Sequence, residues 1–320
     1  MPESNWRIGL PLSLTTCFWW GILPVTMVGV MHKIDPATLT FYRFLIALLI
    51  LLPFLALRGS LHELRVLRDR KVLYKVLLTG LMLAANYGFY VFALERMTPS
   101  GAQVLIQLAP MMFLLSGIFV FDESFSRQQW LGFLVFVAGL ATFFHLRLAE
   151  IFRGIDSYAI GMLLMIVAAL FWVAYAINQK QLSSKLGSVH LMLLINGIGA
   201  LCFLPIATPS QALTLNGFET LLLLLCGLNT VIAYGAFAEA LNHWEASRIS
   251  ATFAIVPLLT LGSVQLTLHF EWIPLLAEPL DAWVLLGAAM VVVGAFVASL
   301  SGSSAGPKKQ PPLAADPLAE

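Results

Sequence analysis

Charged residues are scarce in this chain. Asp, Glu, Lys and Arg make up 11% of its 320 residues, against roughly 25% in soluble domains. With 59% of the residues hydrophobic, the scarcity excludes a conventional water-soluble globule, because one aqueous core cannot hide so much apolar surface. No G-x-x-x-x-G-K-[ST] phosphate loop is present, so the chain is not itself an ATP-driven motor. No H-E-x-x-H or Cys/His set points to a metal enzyme. Ser and His are too scattered for a nucleophile with its base. No basic stretch suits nucleic acid, and the net charge is only +1. The three cysteines, Cys17, Cys202 and Cys226, all fall in apolar runs. They read as small buried hydrophobes rather than a disulfide framework. These absences point away from an enzyme, a cofactor, a metal and a nucleic-acid partner.

What the sequence does have is apolar length, with a mean hydropathy of +0.88. A helix needs about 20 apolar residues to cross roughly 30 Å of hydrocarbon. Ten segments qualify or nearly do: 8–31, 37–57, 72–94, 100–121, 128–146, 158–182, 188–207, 219–241, 248–270 and 281–300. The first lacks a small-residue cleavage site and reads as a retained helix rather than a signal peptide. Most connections are short and carry turn or charged residues, such as "HKIDP" and "ERMTP". The longest, 58–71, has room for a short interfacial helix. Residues 301–320 are rich in Pro, Ala and Ser and read as a disordered tail. With the amino terminus inside, thirteen of the 18 Lys and Arg fall on the cytoplasmic side. Lys33, Arg96, Arg147 and Arg153 fall outside, and Arg43 lies within a span. Both termini are therefore expected in the cytoplasm.

One stretch is repeated. "VFALERMTPSGAQVLIQLAPMM" at 91–112 is echoed by "FAEALNHWEASRISATFAIVPLL" at 237–259, with Ser100 on Ser247 and Pro110 on Pro257 at an offset of 147. Gly80, Tyr87 and Gly88 meet Gly227, Tyr234 and Gly235 at the same offset. Trp20 meets Trp172 at 152, and Gly132 and Gly139 meet Gly287 and Gly294 at 155. Each half thus holds five helices, residues 8–146 and 158–300. Five is odd, so the second copy enters the membrane from the opposite side. The expected fold is an all-α membrane protein of ten transmembrane helices in two inverted five-helix repeats. That architecture characterises secondary transporters, with the substrate near the midplane.

The ordered motifs "FWWG" (18–21), "DPATLTFYRFLIALLILLP" (35–53), "ALERMTPSGAQVLIQLAPMM" (93–112), "LGFLVFVAG" (131–139) and "EPLDAWVLLGAAMVVVGA" (278–295) resemble the drug/metabolite transporter superfamily. The likeness is to its EamA-type members with two five-helix domains. Within them the chain looks most like bacterial amino-acid and metabolite exporters of the YddG type. The resemblance implies a multi-pass protein of the bacterial inner membrane.

Polar groups inside a membrane are costly and usually face protein or a cavity. They concentrate here on helices 1, 3, 4, 6 and 8. Trp20, Tyr87, Tyr90, Gln107, Trp172 and Tyr234 are the expected substrate-lining residues, because Tyr and Trp offer broad apolar faces with one polar handle. The alternative for each aromatic is packing between helices or a place in the headgroup belt, which Trp130, Trp244, Trp272 and Trp283 favour by lying near span ends. Arg43 stands roughly 9 Å in from the outer end of its helix. It is open to several roles: snorkelling toward the interface, a substrate carboxylate, a loop carboxylate such as Asp35, or a structural or gating role, which the resemblance favours. Pro110 and Pro257 hold matching places in helices 4 and 9 and are expected as hinges. Gly117 and Gly262 would permit close packing nearby.

No Asp or Glu falls at the centre of an expected span, whereas proton-coupled carriers commonly use one. The leading reading is gradient-driven uniport, exporting amino acids, aromatic or otherwise neutral, and related metabolites. A second reading assigns drugs, sugars or carboxylates as cargo, with proton coupling open. A third, a membrane enzyme or receptor, requires a catalytic cluster or large extramembrane domain that the sequence lacks. The partners expected are a small-molecule substrate and membrane lipids, with the oligomeric state left open.

Overall fold

A computed structural model of the protein describes residues 5–121, 126–151, 156–182, 185–244, 246–275 and 281–300. The tail at 301–320 lies outside them. Among the described residues there are helices and no strands. They run α1 (Trp6–Met31), α2 (Pro36–Leu57), α3 (Arg70–Leu94), α4 (Pro99–Leu105), α5 (Leu108–Phe121), α6 (Arg127–Phe143), α7 (His145–Ile151), α8 (Ser157–Leu182), α9 (Ser188–Phe203), α10 (Gly217–His243), α11 (Ala246–Phe253), α12 (Val256–Phe270) and α13 (Ala282–Leu300). Short 3-10 helices occupy Ser60–Arg68 and Pro209–Thr214. The first of these is the helix expected in the connection 58–71.

Capping residues start many of these helices. Asp35 accepts the Thr38 N–H ahead of α2, with Pro36 in the first turn, where its missing N–H costs nothing. Thr98 and Pro99 begin α4 in the same way. Ser126 with Gln129, and Asn216 with Glu219, form reciprocal capping boxes at α6 and α10.

Among the described residues eight helical stretches are long and apolar enough to cross a membrane: Trp6–Met31, Pro36–Leu57, Arg70–Leu94, Pro99–Ser116, Ser157–Leu182, Gly217–His243, Arg248–Phe270 and Ala282–Ser299. Two of the ten expected segments are shorter than anticipated. The one predicted at 188–207 ends as a regular helix at Phe203, with turns before Pro209. The one predicted at 128–146 ends at Phe143, and α7 follows. Large apolar side chains face outward along these helices, among them Leu134, Leu201, Leu221, Leu285 and Phe296. Such a surface suits lipid, not water.

Without a hydrophobic drive between helices in lipid, close packing must hold them. The main pairings are α1 with α10, α3 with α8, α2 with α9, and α6 with α13. At the last pair the backbones nearly touch. A Cβ on Gly132 would lie 2.8 Å from the Gly294 carbonyl oxygen, and one on Gly294 would lie 2.7 Å from the Gly132 oxygen. Gly139 and Gly287 repeat the arrangement. Elsewhere Gly80 receives Ile198, and Gly227 receives Ile46. The Thr16 hydroxyl donates to the Ala233 carbonyl, and the Asn86 amide to the Ala168 carbonyl. Gly262, expected at a close approach, has no other atom within 4 Å of where a Cβ would sit. It faces open space instead. The surroundings of Gly117 lie outside the description.

Candidate functional site

Two of the membrane-crossing stretches are broken, and the breaks lie against each other. Ile106 and Gln107 separate α4 from α5, and Ala254 and Ile255 separate α11 from α12. The cause is local. Pro110 and Pro257 have no N–H, so the carbonyls four residues back, Ile106 and Phe253, lose their helical partners. The Ile106 carbonyl is recovered by the Ala109 N–H at 2.8 Å, in a tighter turn. The Phe253 carbonyl is recovered from another helix: the Gln107 side-chain amide donates to it at 2.8 Å. The residue at one break thus satisfies the backbone freed at the other.

Beside these breaks lies a cavity of about 70 Å³, measured as the space open to the centres of water-sized molecules. That is room for several waters or part of a small solute. Its walls include all six residues singled out in the sequence, Trp20, Tyr87, Tyr90, Gln107, Trp172 and Tyr234, together with Arg43 and Pro110. Pro257 is buried one residue beyond the wall residue Val256. Asn86, Gln103 and Phe253 also line the space. Phe253 was not singled out from sequence. Its position four residues before Pro257 was the available signal, since that is the carbonyl a proline releases.

Aromatic rings cluster on the cavity wall. Trp20 contacts Trp172, Tyr234, Phe237 and Phe253 with ring centroids 5.0–6.2 Å apart. Phe237 also meets Trp172 and Phe253. These edge-on and tilted geometries are those that aromatic pairs prefer. Beyond them the Asn5 N–H bonds the His243 carbonyl, tying the start of α1 to the end of α10. Also on the wall, Tyr90 and Gln103 stand 3.5 Å apart, hydroxyl to amide oxygen.

Arg43 is the one charged residue on the cavity wall. It is 1% exposed. Its guanidinium carbon sits 4.1 Å from the Tyr87 ring centroid, and Nη1 points at the Met27 sulfur at 3.7 Å. Its Nε has no hydrogen-bond partner, and neither does the Trp20 indole N–H. The loop-carboxylate role is corrected: Asp35 spends its oxygens on the Thr38 N–H and hydroxyl, both at 2.8 Å. Among the described residues no carboxylate pairs with Arg43.

Among the described residues no carboxylate lines the cavity. Glu219 is buried where α10 begins and bonds His32 at 2.8 Å. Glu239 is exposed near the far end of α10, bonded to Asn242 and His243. Trp130, Trp272 and Trp283 are about half exposed, as belt residues are. Trp244 differs, packing over Gly9 of α1.

The profile of the EamA-like transporter family matches this chain twice, over residues 7–144 and 159–300. An inner membrane transporter of Escherichia coli K12 named YhbE, itself uncharacterised, is 34% identical over 294 residues, covering 92% of this chain and 91% of the relative. A probable amino-acid metabolite efflux pump of Salmonella typhimurium is 24% identical, over 89% of this chain and 93% of that protein. One solved crystal structure superposes with a TM-score of 0.66 over 94% of this chain and all of its own, at 20% identity, which speaks for the fold alone. With a family match over both halves and a relative this similar along nearly the whole chain, the protein is a multi-pass membrane transporter that belongs to the EamA-like transporter family.

Proposed function

We propose that the chain exports amino acids and related small metabolites across the bacterial inner membrane, through the cavity at the crossed helix breaks. The observation that carries this reading is the cavity itself. Aromatic faces, side-chain amides and one cation converge where two discontinuous helices meet, a construction typical of transporter binding sites. The Salmonella relative named as an efflux pump supports the cargo class.

The membrane arrangement belongs to the same proposal: ten crossings in two inverted halves, residues 8–146 and 158–300, with both termini in the cytoplasm. Packing supports it. The sequence offsets of 152 and 147 carry Thr16 to Ala168 and Ala233 back to Asn86. The Thr16–Ala233 bond thereby maps onto the Ala168–Asn86 bond. The same offsets map Gly80–Ile198 onto Ile46–Gly227, and the offset of 155 exchanges the two glycine pairs of α6 and α13. Contacts that interchange in this way are what a two-fold axis between the halves produces.

The two halves do not make identical contacts. α11 packs against α13 without a matching α4–α6 pairing among the main contacts, and α4 packs against α1 without a matching α11–α8 pairing. With the termini inside, this difference and the ring cluster both favour a form closed toward the cytoplasm. Exchange of the two arrangements would open the other side, with Pro110 and Pro257 at the hinges. The absence of a carboxylate from the cavity wall favours gradient-driven uniport over proton coupling.

The test is efflux from proteoliposomes preloaded with a panel of labelled amino acids and metabolites. Trp172→Ala is expected to slow efflux of the true cargo by at least about tenfold, the worth of one lost binding contact. Efflux unchanged by Trp172→Ala and by Tyr87→Ala would remove the cavity from the pathway. Concentration of cargo by an imposed pH gradient would replace uniport with proton coupling.

A further inference from the structure

We infer that Arg43 is the receptor for a carboxylate, so that the cargo of this transporter is defined by an anionic group and the aromatic walls select only the remainder. The inference rests on the transport reading above and narrows its substrate class.

Structural arginines buried among apolar helices are held by carboxylates or by sets of carbonyl oxygens, because an ion out of water needs its donors satisfied. Arg43 lacks that provision. Its Nε is unpartnered, and its described contacts are a thioether and a ring face. A guanidinium presents five donors in a planar fork that matches a carboxylate edge. The surroundings leave that fork without its matching group. The neighbouring carboxylates are committed elsewhere, Asp35 to the cap of α2 and Glu219 to His32.

The second observation is the charge of the wall. Its residues include no Asp or Glu. A cavity with one unpaired cation and no anion suits a negative group. The Trp20 indole N–H, buried and unpartnered, is a further donor on the wall.

The experiment compares N-acetyl amino acids, which are anions at neutral pH, with their uncharged amides on the purified full chain. Equilibrium binding and proteoliposome efflux are both measured. Each acid is expected to bind about 10- to 100-fold tighter than its amide, the range for charge-assisted hydrogen bonds. Arg43→Gln should erase the preference. Arg43→Lys should keep part of it, since the charge stays and the fork is lost. A purely structural arginine would alter folding or affinity for both members alike and leave their ratio unchanged. Thermal unfolding in detergent verifies that each variant is folded, and the acid-to-amide ratio of the wild type decides the matter even where Arg43→Gln fails to fold. Equal binding of acid and amide by the wild type overturns the carboxylate receptor while the transport reading stands. Displacement of the acids by chloride at equal concentration overturns it in favour of a general anion site. Binding of neither series overturns both readings.

Discussion

At the scale of single residues, Gln107 shows how a side chain can serve as backbone. Pro257 deprives the Phe253 carbonyl of its partner, and Gln107 supplies one from the neighbouring break at 2.8 Å. Removing the amide should leave a buried carbonyl unsatisfied. Gln107→Leu is expected to destabilise the protein by about 1 kcal/mol, the usual scale for such bonds inside membrane proteins. Pro257→Ala restores an N–H at position 257 that can take up the Phe253 carbonyl. In that background Gln107→Leu should therefore cost much less. A double-mutant cycle on unfolding in detergent measures the difference. Additive effects would show that Gln107 and the proline break act independently. Trp20 makes the complementary point, since its ring packs against four others while its indole N–H has no partner. One residue both anchors the ring cluster and lines the cavity.

At the scale of helices, the pair α6 and α13 is set by glycine. A Cβ on Gly132 would stand 2.4 Å from the Ala298 nitrogen, and one on Gly287 would stand 2.3 Å from the Phe143 nitrogen. Backbone cannot yield as a side chain can. Gly132→Ala and Gly287→Ala should each lower the unfolding temperature in detergent and loosen the pair, despite alanine's better helix propensity. Gly262→Ala is the control, because open space surrounds that position. There the propensity gain of roughly 0.5–1 kcal/mol should prevail. Equal responses at Gly262 and Gly132 would refute the close approach as the basis of the pairing. The glycines of α6 and α13 were legible in the sequence because their spacing repeats at a fixed offset. So were the proline breaks, whose chemistry is local. The Gln107–Phe253 bond and the Met27 contact of Arg43 were not, because they join helices far apart in sequence. The ends of α6 and α9 were misjudged because apolar composition continues past the last helical turn. Hydropathy reads composition, not hydrogen bonding. The six aromatic and amide residues that line the cavity stand out in the sequence because polar handles are conspicuous in apolar helices, whereas the sequence leaves the role of Arg43 open and its surroundings remove Asp35 as a partner.

At the scale of the whole molecule, a single buried cation bears on the transport cycle. Alternating access requires the cavity to close on both sides on its way between open forms. Closing it empty would hold the Arg43 guanidinium, already 1% exposed, in a shut cavity with no anion beside it, and the penalty for an unpaired buried ion is several kcal/mol. Every 1.4 kcal/mol slows a step about tenfold. Closing it with a carboxylate bound cancels the charge and spares most of that cost. The loaded carrier should therefore turn over faster than the empty one. Efflux of a labelled acid from proteoliposomes should rise about tenfold or more when the unlabelled acid is placed outside, with no proton gradient applied. The corresponding amide outside should give no such rise. Arg43→Gln removes the charge and with it the handicap of the empty form, so the stimulation should vanish even where slow transport persists. Stimulation that survives Arg43→Gln would place the slow step in helix repacking around Pro110 and Pro257 rather than in the electrostatics of the site. Loss of stimulation in that variant alone would tie substrate recognition and the pace of the cycle to the same side chain.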